Sequence, residues 1–289
     1  MNSEPWRDEK YQKHSLRACL LSEFFCSAFF VFCGTAYNTM DIIVGGFGAG
    51  VPIAWGLCLI FTVQLGHRIS GSHVNPAVSI MFCIFKEISI NRCILYSIVQ
   101  IAGSFVGAAM TYLVYYDLID NYDGGIRSVH GAKRTAHIFA TYPKDYLTIR
   151  GGLVDQISTT AMLVIIVRSI TKRRHGVPQW FQPFLLGLGL CILAVGFAEN
   201  CQCAINPARD LGPRIFTLVA GYGWGVFSYR NYKWFWVPII GPCVGAIIGA
   251  FLYKYFIGNF ISELPEKENE CKRCCEESER RDTKILTVY

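Results

Sequence analysis

The stretches VNPAVSIMFCIF (74–85) and INPARDLGPRIFTLV (205–219) open on the same triplet, Asn75–Pro76–Ala77 in the first and Asn206–Pro207–Ala208 in the second. Each stays mostly apolar for about three turns, too short to cross a bilayer, which takes about 20 residues. Pro suits the first helical position, where its missing N–H would have no partner, and the Asn before it is a good N-cap. Each segment therefore predicts a half-helix that enters a membrane from a loop. Irregular backbone at that depth is tolerated only where it is buried in protein or lines a cavity.

Six longer runs surround these two, at roughly 17–37, 49–67, 92–115, 152–170, 181–199 and 236–257. They are apolar nearly all round, without the polar stripe of a soluble amphipathic helix. The chain is 52% hydrophobic and 17% charged, with the charge gathered outside these runs, which excludes disorder and argues against soluble domains. The net charge of +6 forms no Lys/Arg stripe with interleaved aromatics, so no nucleic-acid partner is expected; anionic lipid is the simpler neighbour. Thirteen scattered cysteines do not resemble a secreted disulfide framework. Cys19, Cys26, Cys33 and Cys58 lie inside apolar runs, where a thiol acts as a small apolar side chain. The first apolar run follows a charged segment and is long enough to span, so no cleaved signal peptide is expected.

Basic residues precede the first run (Arg7, Lys10, Lys13, Arg17), separate the fourth from the fifth (Arg168, Lys172, Arg173, Arg174) and follow the sixth (Lys267, Lys272, Arg273, Arg280, Arg281, Lys284). The positive-inside rule puts both termini in the cytoplasm and the 116–150 connection outside, long enough to form a structured cover. Each triplet follows the second run of its half, and three runs per half make the second half an inverted copy of the first. Inverted repeats with broken helices meeting at the midplane are a known architecture for substrate pathways. Each half-helix N-terminus carries about half a positive charge. Two such ends facing each other oppose any cation, a proton included, while the amides of Asn75 and Asn206 donate to a passing oxygen. The residues before each triplet, Gly71–Ser72–His73 and Gln202–Cys203–Ala204, are expected to run extended and offer backbone carbonyls as a ladder of acceptors.

SGSHVNPAVS (70–79) and AINPARDLGPR (204–214), together with LLSEFF from Leu20, resemble the major intrinsic protein family over nearly the whole chain. The resemblance implies an all-α membrane protein with six transmembrane helices, two re-entrant half-helices, a pore in each subunit and a homotetramer. It divides the chain into a cytoplasmic tail (1–16), a channel domain (17–259, halves about 17–115 and 152–257, outer loop about 116–150) and a second cytoplasmic tail (260–289). Asp210 with Arg214, Pro238–Ile239 in the sixth run and FATYPKDYLT (139–148) are similar to the glycerol-passing branch. By spacing from the triplets, the family's narrowest ring maps to Trp55, Ala194, Cys203 and Arg209. A flat apolar wall beside a donor fork suits a polyol, and the small Ala194 and Cys203 widen the ring.

The family's paired buried glutamates, which brace the loops before the half-helices, map to Glu23 and to Gln156, a departure that leaves an uncharged amide beside Asp155. Asp210 and Arg214 also have the spacing of a local helical ion pair. The implied function is passive flow of water and small neutral solutes such as glycerol, with urea and small neutral acids not ranked. A water-selective pore is disfavoured by Ala194 and Asp210, and an ion-coupled transporter by the scarcity of midplane acids. No enzyme, metal or cofactor is expected. Cys271, Cys274 and Cys275 do not make a metal site. The terminal Thr287–Val288–Tyr289 is a candidate carboxylate-capture ligand of PDZ type. No Asn-x-Ser/Thr sequon occurs.

Overall fold

The computed structural model describes residues 14–262. Arg7, Lys10, Lys13 and everything from 263 onward, including the tail basic residues, Cys271, Cys274, Cys275 and the terminal tripeptide, lie outside the described residues.

Among the described residues, ten α-helices run in chain order: α1 (Leu16–Thr39), α2 (Gly50–Gly66), α3 (Pro76–Ile84), α4 (Ile90–Val114), α5 (Tyr116–Asp123), α6 (Ile149–Thr171), α7 (Gln182–Cys201), α8 (Pro207–Thr217), α9 (Gly225–Tyr232) and α10 (Val237–Tyr253). Side-chain caps start several of them. Ser15 accepts from Ala18 N, Ser89 from Arg92 N and Thr148 from Gly151 N, each satisfying an orphan first-turn donor. α1, α4, α6, α7 and α10 lie in the five helical stretches long and apolar enough to cross a membrane. α2 is the sixth apolar helix, at 17 residues, or about 26 Å of rise. The expected six spans and two half-helices are all present. α5 and α9 are additions in the connections, and the helical geometry of α9 breaks at Tyr229–Asn231.

The inverted repeat is visible in the packing. α1 lies chiefly on α4, its counterpart α6 lies on α10, and α2 meets α7 across the join. Each half-helix reaches into the other half: α3 packs on α10 and α8 on α4. Water cannot drive helices together inside lipid, so close approach carries the packing. A Cβ at Gly107 of α4 would overlap the Ala28 carbonyl of α1, and one at Gly249 of α10 would stand 2.5 Å from the Ala161 carbonyl of α6. Gly56 and Gly187 do the same for α2 and α7, each Cβ falling 2.6 Å from the other's carbonyl. Leu57, Phe61, Ile98, Ile192 and Phe251 point outward, as lipid-facing residues do. All ten cysteines among the described residues are free.

Candidate functional site

Asn75 and Asn206 cap α3 and α8 by the same geometry. Asn75 Oδ1 accepts from Ala77 N at 2.9 Å; Asn206 Oδ1 accepts from Ala208 N at 3.0 Å and Arg209 N at 3.2 Å. Each amide then crosses to the other half. Asn75 Nδ2 donates to the Ile205 carbonyl at 3.0 Å, and Asn206 Nδ2 to the Val74 carbonyl at 2.8 Å. The two half-helix ends are thus latched to each other's loops. An amide has two N–H donors, so one per Asn remains beyond the latch.

The loops feeding these caps are not extended, contrary to the sequence expectation. Ser72 and Val74 in one, and Cys203 and Ile205 in the other, hold positive φ of 49°, 44°, 47° and 36°. Such residues carry backbone strain that the surroundings must hold in place. Glu23 of α1, fully buried, holds the first loop: Oε1 accepts from His73 N at 2.9 Å and Ser70 Oγ at 2.6 Å, and Oε2 from Val74 N at 2.8 Å and Gln100 Nε2 at 2.8 Å. Gln156 of α6 holds the second loop: its Oε1 accepts from Ile205 N at 2.8 Å.

A continuous cavity of about 760 Å³ threads between the halves, lined by both Asn residues, both loops, Trp55, Ala194 and Arg209. The Arg209 guanidinium lies 4.5 Å from the Trp55 ring centre, within cation–π range. Cys203 is 8% exposed, with Sγ 3.8 Å from the Leu193 carbonyl, and Ala194 is 6% exposed. Trp55, Ala194, Cys203 and Arg209, the four residues mapped from the sequence, all line this one cavity.

Sequence reasoning missed what holds that ring. Three consecutive carbonyls in the 116–148 connection take three donors: His137 O from Gln202 Nε2 at 3.1 Å, Ile138 O from Asn38 Nδ2 at 2.8 Å and Phe139 O from Arg209 Nη1 at 2.8 Å. Asn38 Oδ1 in turn accepts from Trp55 Nε1 at 3.0 Å. Trp55 stands edge-on to Phe30 at 5.0 Å, and a Cβ on Gly34 would overlap its ring. Carbonyl positions carry no side-chain signal, whereas Gly34 and Asn38 sit one turn apart on α1, in plain view.

Asp210 and Arg214 do not line the cavity. They form a fully buried pair at 2.9 Å. Asp210 also accepts from Thr141 N at 2.8 Å and from the Thr141 hydroxyl, while Arg214 donates to Thr141 O at 2.6 Å and Val226 O at 2.8 Å. Trp234 Nε1 shares the Thr141 carbonyl at 2.8 Å. The pair thus pins the connection and α9 onto α8. Pro238 is buried in the first turn of α10 and Ile239 is half-buried beside it; neither is among the described residues lining the cavity. At the cavity mouth on this face, burial pushes the His137 imidazole down to about 3, with Arg134 and Arg214 adding to the shift.

Residues 9–253 match the family described as major intrinsic protein. The chain belongs to that family. It is 40% identical over 215 residues to human aquaporin-10, covering 74% of this chain and 71% of that one. It is 37% identical over 249 residues to human aquaporin-9, covering 85% and 84%. Its fold superposes on the X-ray structure of the aquaglyceroporin from Plasmodium falciparum with a TM-score of 0.77, at 25% identity, covering 86% of this chain and 99% of that one. As a major intrinsic protein it is an integral membrane protein, and the paired half-helices around one cavity are the part of it that faces a solute.

Proposed function

We infer that the chain is a passive channel for water and small uncharged solutes such as glycerol. The observation that carries this reading is the single cavity running past a Trp55–Arg209 ring to two half-helix N-termini latched end to end. The similarity to aquaporin-9, aquaporin-10 and a solved aquaglyceroporin supports the same solute class. At the ring, Trp55 is the wall for the CH face of a polyol and Arg209 the donor to its hydroxyls. Ala194 and Cys203 leave the width a water-selective ring would fill.

Past the ring, the free N–H of Asn75 and of Asn206 turns a passing oxygen so that its hydrogens point away. The positive helix ends there exclude protons and other cations. Carbonyls of Gly71, Ser72, His73, Gln202, Cys203 and Ala204 are the acceptors along the path. The channel domain spans 17–259, with four copies forming a homotetramer, a pore in each, and both termini on the cytoplasmic side of the plasma membrane. Stopped-flow swelling of proteoliposomes in glycerol, urea and sucrose gradients tests the reading. Rapid glycerol entry with sucrose excluded is expected; fast water flux without glycerol flux overturns the solute range.

A further inference from the structure

The two loop braces are built differently, and the difference assigns a task to a buried acid that the solute path does not use. Glu23 grips its loop with a carboxylate, which accepts hydrogen bonds at both oxygens whichever way it is turned. Gln156 has only one oxygen to offer. A carboxamide has an acceptor end and a donor end, and turning it over would set its NH₂ against the Ile205 N–H, donor to donor. Something must therefore fix which way it points. Asp155, 9% exposed, stands beside it: its Oδ1 accepts from Gln156 Nε2 at 3.1 Å and from Cys201 Sγ at 3.5 Å, and its Oδ2 from Asn200 Nδ2 at 2.8 Å. All three partners are neutral. An ionised carboxylate is acceptor-only, so the end of Gln156 facing it has to be the NH₂.

We propose that Asp155 is a positioning residue, which orients the Gln156 amide so that its oxygen holds the Ile205 N–H and, through it, the loop carrying Cys203, Ala204 and the Asn206 cap. The fixed negative charge of the second brace is thereby moved back one residue and relayed through an amide. The hydrogen bond Gln156 gives to a charged acceptor polarises the one its oxygen accepts. Ile205 occupies a key place, since its N–H goes to Gln156 while its carbonyl receives the Asn75 latch. The loop it secures holds positive φ at Cys203 and Ile205, as the other loop does at Ser72 and Val74. The consequence for flux rests on the channel reading above; the positioning itself does not.

The test moves the charge. Asp155→Asn keeps the shape but supplies either a donor or an acceptor to Gln156; with the charged acceptor gone, only the weak thiol acceptor Cys201 Sγ, 3.2 Å from Nε2, and the Ile205 N–H still favour the wild-type orientation. Asp155→Asn with Gln156→Glu places a carboxylate where Glu23 has one in the other half. Hydrogen exchange by mass spectrometry, in detergent or nanodiscs, is read at residues 202–206, with residues 72–74 of the other loop as internal control. Exchange at 202–206 is expected to speed up about tenfold in Asp155→Asn, the size of one lost charge-assisted bond, with 72–74 unchanged, and to return to the wild-type rate in the double variant. Glycerol flux should follow the same order.

Unchanged exchange at 202–206 in Asp155→Asn overturns the assignment, whatever the flux does. Equal acceleration in both loops also overturns it, because that is general loosening. A double variant no better protected than Asp155→Asn does so too. Should Asp155→Asn fail to fold, the double variant must fold and be protected, and failure of both overturns it. A wild type that passes no glycerol sinks the channel reading while leaving the exchange comparison to decide this one.

Discussion

The main-chain N–H of Arg209 is capped by Asn206, and its Nη1 donates to the Phe139 carbonyl of the outer connection at 2.8 Å, so the guanidinium is tied down before any solute arrives. Arg209→Ala removes the donor fork and empties the space over Trp55, and Trp55→Ala removes the wall. Either is expected to relax selectivity, raising urea entry relative to glycerol by several-fold in stopped-flow assays. Wild-type ratios in both variants would remove these two residues from the solute path. Cys203 is the one cysteine of the ring, and a mercurial bound there narrows it. Permeability should fall by more than half on mercurial treatment, and Cys203→Ser should abolish most of the effect; equal block in the variant would place the reactive thiol elsewhere. His137 is lowered from about 6.5 to about 3 by burial. A histidine depressed in this way stays neutral in the folded protein while the unfolded chain takes up its proton below about 6.5, so stability is full above that pH and falls as pH drops toward 3. Thermal stability should therefore decline from pH 7 to pH 4, less steeply in His137→Gln. The imidazole's own charge should not alter flux between pH 7.5 and 5; a flux change in that range that His137→Gln removes would show the half-buried imidazole taking up a proton there.

The half-helices were the most legible elements, because Asn-Pro-Ala is at once a cap, a first-turn residue pair and a small side chain, and each property constrains the same backbone. Their mutual latch was not legible: the acceptors are the carbonyls of Val74 and Ile205, and no residue type announces a carbonyl's direction. The close helix pairs have a sequence signal, since Gly103 and Gly107 on α4, and Gly245 and Gly249 on α10, have the four-residue spacing of membrane packing faces. Asp210 and Arg214 form the local helical pair their spacing allows, and beyond it they work between elements, joining α8 to Thr141 and to Val226 of α9. Breaking a buried pair leaves one charge stranded and costs about 3–5 kcal/mol. Arg214→Met is accordingly expected to lower the thermal midpoint sharply in detergent. Asp210→Asn combined with Arg214→Met should recover part of the loss, because the Asn still accepts from Thr141 without a net charge. A double variant as unstable as the single one would mean that lost packing, and not the stranded charge, sets the cost.

At the scale of the whole molecule, the two faces differ in charge as well as in shape. One face gathers Arg17, Arg68, Lys86, Arg92, Arg168, Lys172, Arg173, Arg174 and Lys254, with Glu87 bound to Arg168 at 2.6 Å. The other face mixes Arg127, Lys133, Arg134, Lys144, Arg150, Arg230 and Lys233 with Asp41, Asp117, Asp120, Asp123, Asp145 and Glu199, partly as pairs such as Arg127–Asp123 at 2.5 Å and Lys144–Glu199 at 3.2 Å. Positive charge near span ends is retained in the cytoplasm, and mixed charge does not set direction. The basic face, where the described residues begin and end, is therefore expected inside, and the connection that supplies the His137–Phe139 carbonyls outside. The absence of a natural sequon makes this measurable. Gly131→Asn with Lys133→Thr creates an Asn-Ala-Thr acceptor at an exposed turn where Gly131 already holds positive φ, which Asn tolerates. Lys172→Asn with Arg174→Ser creates one on the basic face. Expressed in eukaryotic cells, the first variant should gain a glycosidase-sensitive mass shift and the second should not. Glycosylation of the second alone would invert the protein in its membrane and put the Trp55–Arg209 ring at the cytoplasmic mouth.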